Sequence, residues 1–146
     1  MNNLVFHPLM EMVAKNAATI LLVDDEATIL FTYKTILERD GYRVDTARSF
    51  AEGEKLLKQR TYDAVIADLN LERENLGLDL VREARRLPSH PVTVVYTGFP
   101  SVEHLYSALK LQVDYLALKP VGVEEMRSAL CRLIRRRSAT MSLASA

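Results

Sequence analysis

Thr19-Ile20-Leu21-Leu22-Val23-Asp24-Asp25-Glu26 is an apolar run of strand length that ends in consecutive carboxylates. A strand without polar alternation is buried on both faces, as strands of parallel sheets are. The same design returns three times. Ala64-Val65-Ile66-Ala67 ends in Asp68, Val92-Thr93-Val94-Val95-Tyr96 in Thr97, and Tyr115-Leu116-Ala117-Leu118 in Lys119-Pro120. As parallel strands of one sheet, the four runs bring their endings to its carboxyl edge, where open α/β sheets place ligands. Three carboxylates, a hydroxyl and an ammonium then share one pocket, a set suited to a divalent cation and a phosphoryl group.

The segments between the runs read as helices. Leu30, Tyr33 and Leu37 share one face of a helix over 27–39, which Asp40-Gly41 stops, glycine being suited to a left-handed cap. Residues 42–47 alternate as a further strand. Ser49 and Glu52 form a capping box for a helix that carries Phe50, Leu56 and Leu57 and ends near Arg60. A polar loop over 70–75 precedes a helix ending near Leu87, and Ser101 caps the next one. The last helix runs over 123–137, with Glu124 and Glu125 at its start and arginines at its end, matching the helix dipole. Five strand–helix units imply an α/β fold with a parallel sheet and helices on both faces. The flavodoxin-like order 2-1-3-4-5 puts the switch point between strands 1 and 3, which end in Asp24-Asp25 and Asp68. Residues 1–17 read as an N-terminal extension in which 9–18 could form a short helix, 18–137 as the domain, and 138–146 as a flexible tail.

The whole chain narrows the classes. It has 146 residues, 49% of them hydrophobic, enough for one domain with a real core. Zero formal net charge argues against a basic coat for nucleic acid. Cys131 is the one cysteine, so no intrachain disulfide or cysteine-cluster zinc site forms, and a cytoplasmic location is expected. No apolar stretch is long enough for a membrane span, and the start lacks the pattern of a signal peptide.

Adjacent carboxylates repel, and Mg2+ relieves that repulsion by taking one or two carboxylates beside phosphate oxygens. Asp24 or Asp25 could equally cap the helix that follows. A carboxylate placed as Asp68 can ligate a metal, act as a base, or accept a phosphoryl group covalently. Thr97-Gly98 offers a hydroxyl with little bulk beside it, and Lys119 a point charge for carboxylate or phosphate.

Leu21-Leu22-Val23-Asp24-Asp25-Glu26, Ala67-Asp68-Leu69-Asn70-Leu71, Tyr96-Thr97-Gly98 and Leu118-Lys119-Pro120 together resemble the signature of the receiver domain of two-component response regulators. The resemblance covers about residues 19 to 137. It implies that Asp68 takes a phosphoryl group from a phosphohistidine of a sensor histidine kinase or a phosphotransfer protein. It further implies that Asp25 and Asp68 ligate Mg2+ directly, Asp24 through water and Asn70 through its backbone carbonyl. Thr97 would bond the phosphoryl group and Lys119 would contact its oxygens. Phosphorylation and dephosphorylation would be self-catalysed, unlike a conventional enzyme. The signal would pass by protein–protein contact to a downstream protein or an output domain, with a homodimer possible through the face of the fourth and fifth units. Direct binding of nucleic acid or membrane is not expected.

The chain departs from the family pattern at the aromatic switch position, three residues before the lysine. That place holds Leu116, with Tyr115 one step earlier. Either a bulge restores Tyr115, or the usual coupling of threonine to an aromatic is absent. The displaced tyrosine motivates an alternative, a non-switching pseudo-receiver that binds a protein constitutively. A Mg2+-dependent phosphatase is a third reading, but Asn70 stands where a second carboxylate would be expected, and no glycine-rich loop follows the first strand. His90 and His104 are expected to be exposed. Arg132, Arg135, Arg136 and Arg137 are expected to complement the helix dipole rather than bind a partner.

Overall fold

A computed structural model describes residues 17–72, 76–98, 100–119 and 123–144. The elements alternate: β1 (Thr19–Val23), α1 (Ala27–Arg39), β2 (Arg43–Ala47), α2 (Phe50–Gln59), β3 (Ala64–Asp68), α3 (Leu76–Arg85), β4 (Val92–Thr97), α4 (Val102–Leu111), β5 (Tyr115–Leu118) and α5 (Val123–Ala144). The strands form one parallel sheet in the order β2-β1-β3-β4-β5, as the apolar runs predict.

Strand alternation divides the core into two layers. Ile20, Leu22, Ile66, Val92, Val94 and Tyr96 face α1 and α5, where Leu30, Leu37, Met126 and Leu130 meet them. Leu21, Val23, Val65, Ala67 and Val95 face the other side, with Leu57 of α2, Leu80 and Val81 of α3, and Ala108 of α4. Leu21 and Leu22 have no exposed surface. Burying one such side chain contributes roughly 2–3 kcal/mol.

The amino-terminal edge of the sheet is closed by aspartates. Asp63 accepts from the Thr19 amide at 2.7 Å, and Asp114 from the Thr93 amide at 2.8 Å. Arg137 donates to Asp114 at 2.8 Å and to the His90 carbonyl at 2.6 Å, pinning α5 to that edge. Arg137 is therefore a structural tie, whereas Arg132, Arg135 and Arg136 are exposed. Gly41 follows α1 at φ 94°, the left-handed conformation expected there. Ser49 caps α2 through the Glu52 amide at 3.1 Å, but Glu52 reaches back one residue further than a capping box, to the Arg48 amide at 2.8 Å.

Two expectations need correction. The last helix does not end near Arg137 in a flexible tail over 138–146; α5 continues to Ala144. Residues 138–144 contain neither glycine nor proline to stop it, and the Thr140 hydroxyl bonds back to the Arg136 carbonyl at 3.0 Å. His104 is buried rather than exposed, because its ring completes the cap of α4: Nδ1 accepts from the Ser101 amide at 3.3 Å. The predicted helix over 9–18 lies outside the described residues up to residue 16, as do 73–75 of the polar loop, Pro120 and 145–146. Among the described residues no helix is long and apolar enough to cross a membrane.

Candidate functional site

The sheet order places β1 beside β3, and β5 beyond β4, so that the long side chain of Lys119 must reach across to the acids. It does. Its Nζ lies 3.1 Å from Asp68 Oδ2 and 3.4 Å from Asp24 Oδ2. The Lys119 amide donates to the Thr97 carbonyl at 2.7 Å, which fixes where the side chain starts.

Asp24 is completely buried. Its Oδ1 accepts from the Glu26 amide at 2.8 Å, so it turns the chain into α1, while Glu26 holds the N-cap position. The capping role anticipated for this pair is thus a turn by Asp24, with a second oxygen left for the site. Asp25 stands exposed at the rim. Asp68 is the last residue of β3 and is 6% exposed; its Oδ1 accepts from the Asn70 amide at 3.2 Å. One oxygen from each of Asp24, Asp25 and Asp68 lies within 4.8 Å of the others.

The electrostatics carry the mark of too many acids. Burial pushes the Asp68 carboxyl up, and the Lys119 hydrogen bond and charge, which oppose this, do not cancel it. Asp25 is also raised, by burial first and then by the charge of Asp24. For Lys119, burial pulls downward, but the hydrogen bond and charge of Asp68, with those of Asp24, outweigh it and leave the ammonium strengthened. This donor set fits a divalent cation, since hard oxygen ligands with excess negative charge suit one. Two further atoms await partners: Thr97 Oγ1 and Asn70 Oδ1 are buried without a hydrogen bond. Buried polar atoms are normally satisfied, so each orphan points to a missing group. Beside Thr97, a Cβ placed on Gly98 would meet, among the described residues, only Lys119 Cβ, at 3.9 Å.

The structure therefore brings together Asp24, Asp25, Asp68 and Lys119, and sets Thr97 at the same sheet edge. It adds a residue that strand patterning alone does not reveal. Tyr96 reads as the last apolar position of β4, yet its hydroxyl donates a short hydrogen bond to Asp24 Oδ2. Lys119 Nζ lies 4.6 Å from the centre of the Tyr96 ring, and Tyr33 of α1 meets that ring edge-on at 6.0 Å. The alternation of β4 turns Tyr96 to the layer opposite Thr97, but no local pattern names the acceptor of its hydroxyl.

On β5 the register decides between the two alternatives for Tyr115. Val94 pairs with Tyr115, Val95 with Leu116, Tyr96 with Ala117 and Thr97 with Leu118, without a bulge. Tyr115 packs on the α1/α5 layer and Leu116 on the other. The aromatic is not restored to the switch position.

Residues 20–131 match the family described as the response regulator receiver domain. The alginate biosynthesis transcriptional regulatory protein AlgB of Pseudomonas aeruginosa is 35% identical over 92% of this chain, which spans 30% of that regulator's length. A CheY-like response regulator receiver domain protein from Methanospirillum hungatei JF-1 superposes with a TM-score of 0.80 at 26% identity, covering 86% of this chain and 99% of that one. A response regulator from Burkholderia pseudomallei, whose crystal structure holds a phosphorylated aspartic acid, a calcium ion and citrate, gives 0.72 at 28% identity, covering 88% of this chain and 75% of that one.

Proposed function

This chain belongs to the response regulator receiver family, and from that premise we propose that Asp68 accepts a phosphoryl group from a phosphohistidine of a sensor kinase or phosphotransfer protein. The observation that carries the reading is the bridge of Lys119 between Asp68 and Asp24 inside a cluster of three acids. Asp25, Asp68 and the Asn70 backbone carbonyl would hold Mg2+, with Asp24 behind them. When bound, the cation supplies neutralisation of the oxygens' charge and orientation of the phosphoryl group.

The chain's own residues have distinct parts. An Asp68 oxygen forms the new P–O bond as the P–N bond to the donor imidazole breaks. The hydrogen bond from the Asn70 amide holds the Asp68 carboxylate in one orientation. Lys119 moves its hydrogen bond from Asp68 to a phosphoryl oxygen. Thr97 Oγ1, which has no partner, donates to another. Hydrolysis of the acyl phosphate by water then restores the carboxylate.

Residues 18–137 form the receiver unit in this reading, and the signal leaves it through contact with a protein or an output domain. Val102, Tyr106 and Leu109 on α4 and Leu118 on β5 are exposed and offer the apolar surface for such a contact or for a homodimer. A phosphohistidine donor of this kind fits a cytoplasmic location. The pseudo-receiver reading is not favoured, because the acids, the lysine and the unpartnered hydroxyl are all kept. Incubation with Mg2+ and phosphoramidate tests the proposal. The intact protein is expected to gain the mass of one phosphoryl group, and Asp68→Asn none. No gain by the native protein refutes it.

A further inference from the structure

Tyr96 is fully buried, and β4 pairs it with Asp68 while its side chain points into the α1/α5 layer. From there its hydroxyl reaches past β3 to Asp24 at the end of β1. Both oxygens of Asp24 are thus occupied by neutral donors, the Glu26 amide on Oδ1 and the Tyr96 hydroxyl on Oδ2. Lys119 shares Oδ2 with Tyr96, but sits closer to Asp68, at 3.1 Å against 3.4 Å. The Tyr96 ring is at the same time a wall for the ammonium, and Tyr33 steadies that ring from α1.

We propose that Tyr96 is a positioning residue for phosphoryl acceptance: its hydroxyl satisfies Asp24 and so leaves Lys119 free to serve Asp68 and the incoming group. The inference rests on the receiver reading above. The hydroxyl is buried against a carboxylate oxygen, so it is the donor of the pair. A buried tyrosine hydroxyl normally finds a partner, and here that partner is a buried acid of the site. Without the hydroxyl, Asp24 Oδ2 has only Lys119. Each transfer of the lysine to a phosphoryl oxygen would then leave a buried carboxylate oxygen unsatisfied.

Tyr96→Phe removes the hydroxyl and keeps the ring. Titration calorimetry with Mg2+ alone, and then with beryllofluoride (a tetrahedral phosphoryl mimic) at saturating Mg2+, separates the two roles. Tyr96→Phe is expected to weaken beryllofluoride about tenfold, the worth of one charge-assisted hydrogen bond, and Mg2+ less than about threefold. In a Lys119→Ala background the tenfold effect is expected to vanish, because it acts through the lysine. Equal losses for Mg2+ and beryllofluoride, or no loss of either, overturn the inference and leave the receiver reading intact. Failure of the native protein to take up beryllofluoride counts against the receiver reading itself. Should Tyr96→Phe fail to fold, proton NMR of the native protein decides. A slowly exchanging Tyr96 hydroxyl proton that persists with Mg2+ and beryllofluoride supports the inference, and its loss to rapid exchange overturns it.

Discussion

Gly77 stands at the second position of α3, directly against the backbone of the phospho-acceptor. Its amide donates to the Leu69 carbonyl at 3.0 Å, which draws the helix onto the end of β3. A Cβ at this position would lie 1.9 Å from the Asp68 carbonyl oxygen, 2.7 Å from its carbon and 2.8 Å from Leu69 Cα. Such contacts stay beyond 3.0 Å in real proteins, so Gly77→Ala forces a retreat of about 1 Å. All three atoms are backbone, so no side chain can rotate to make room. Overpacking of this kind costs about 1–3 kcal/mol, and the rigid neighbours put Gly77→Ala at the upper end, near 3 kcal/mol. At about 3–4 °C per kcal/mol for a domain of this size, the melting temperature should fall by roughly 10 °C. Displacement of the Asp68 carboxylate by about 1 Å should also slow phosphoryl acceptance about a hundredfold. Circular dichroism melting and the rate of phosphorylation by phosphoramidate measure the two effects. Gly53→Ala is the control. Its Cβ would meet the methyl ends of Leu80 at 3.1 and 3.3 Å and of Val23 at 3.4 Å, which can give way. Alanine in a helix interior also returns about 0.5–1 kcal/mol, so this variant should stay within about 1 kcal/mol of native. A Gly77→Ala protein that melts within about 2 °C of native and is phosphorylated at the native rate refutes the reasoning.

Mg2+ at ten times its dissociation constant should stabilise the fold by about 1.4 kcal/mol, read as a thermal shift that EDTA reverses and Asp25→Asn abolishes. The raised Asp68 carboxyl binds its proton more tightly folded than unfolded, so the metal-free protein loses stability as pH rises from 3.8 through the raised value. Asp68→Asn should therefore gain stability relative to native as pH rises above 3.8, with the difference closing in urea titrations below that pH. Arg127 of α5 grips Asp40 at the end of α1 through Nε at 2.6 Å and through Nη2. Arg127→Ala should cost about 1 kcal/mol in urea denaturation and leave the phosphorylation rate unchanged.

What the sequence made legible was whatever depends on local pattern. Unbroken apolar runs at β1, β3 and β4 dictate burial on both faces, and from that follow the parallel sheet and the gathering of Asp24, Asp25, Asp68, Thr97 and Lys119 at one edge, while the order was the common one for five such strands. Contacts made across layers were not legible. His104 looks like a polar residue on a helix until Ser101 is seen to fold its ring into the cap. Arg137 looks like one of four equivalent arginines until the loops holding His90 and Asp114 come within its reach. The Tyr96 hydroxyl finds its acceptor 72 residues away, a separation at which periodicity carries no information. The end of α5 was missed for a different reason: a run of alanine, serine and threonine is compositionally close to a tail, yet nothing in it obliges a helix to stop.

The register of β5 also bears on how a phosphoryl group at Asp68 could be felt elsewhere. β4 sends alternate side chains to opposite layers, so Thr97 and Tyr96 divide the site between them. On the Thr97 side, β5 sets Leu118 opposite Thr97 and Leu116 opposite Val95, so that face of the strand carries leucines and no aromatic ring. On the Tyr96 side stand Tyr96 itself, Tyr33 against its ring, and Tyr42 and Tyr115 in the same core layer. Tyr96 and Lys119 share one oxygen of Asp24, so any displacement of the lysine toward a phosphoryl group changes the environment of that layer directly. The aromatic mass that the family pattern places beside the threonine lies here behind the lysine, and the hydrogen bond to Asp24 is what connects it to the chemistry.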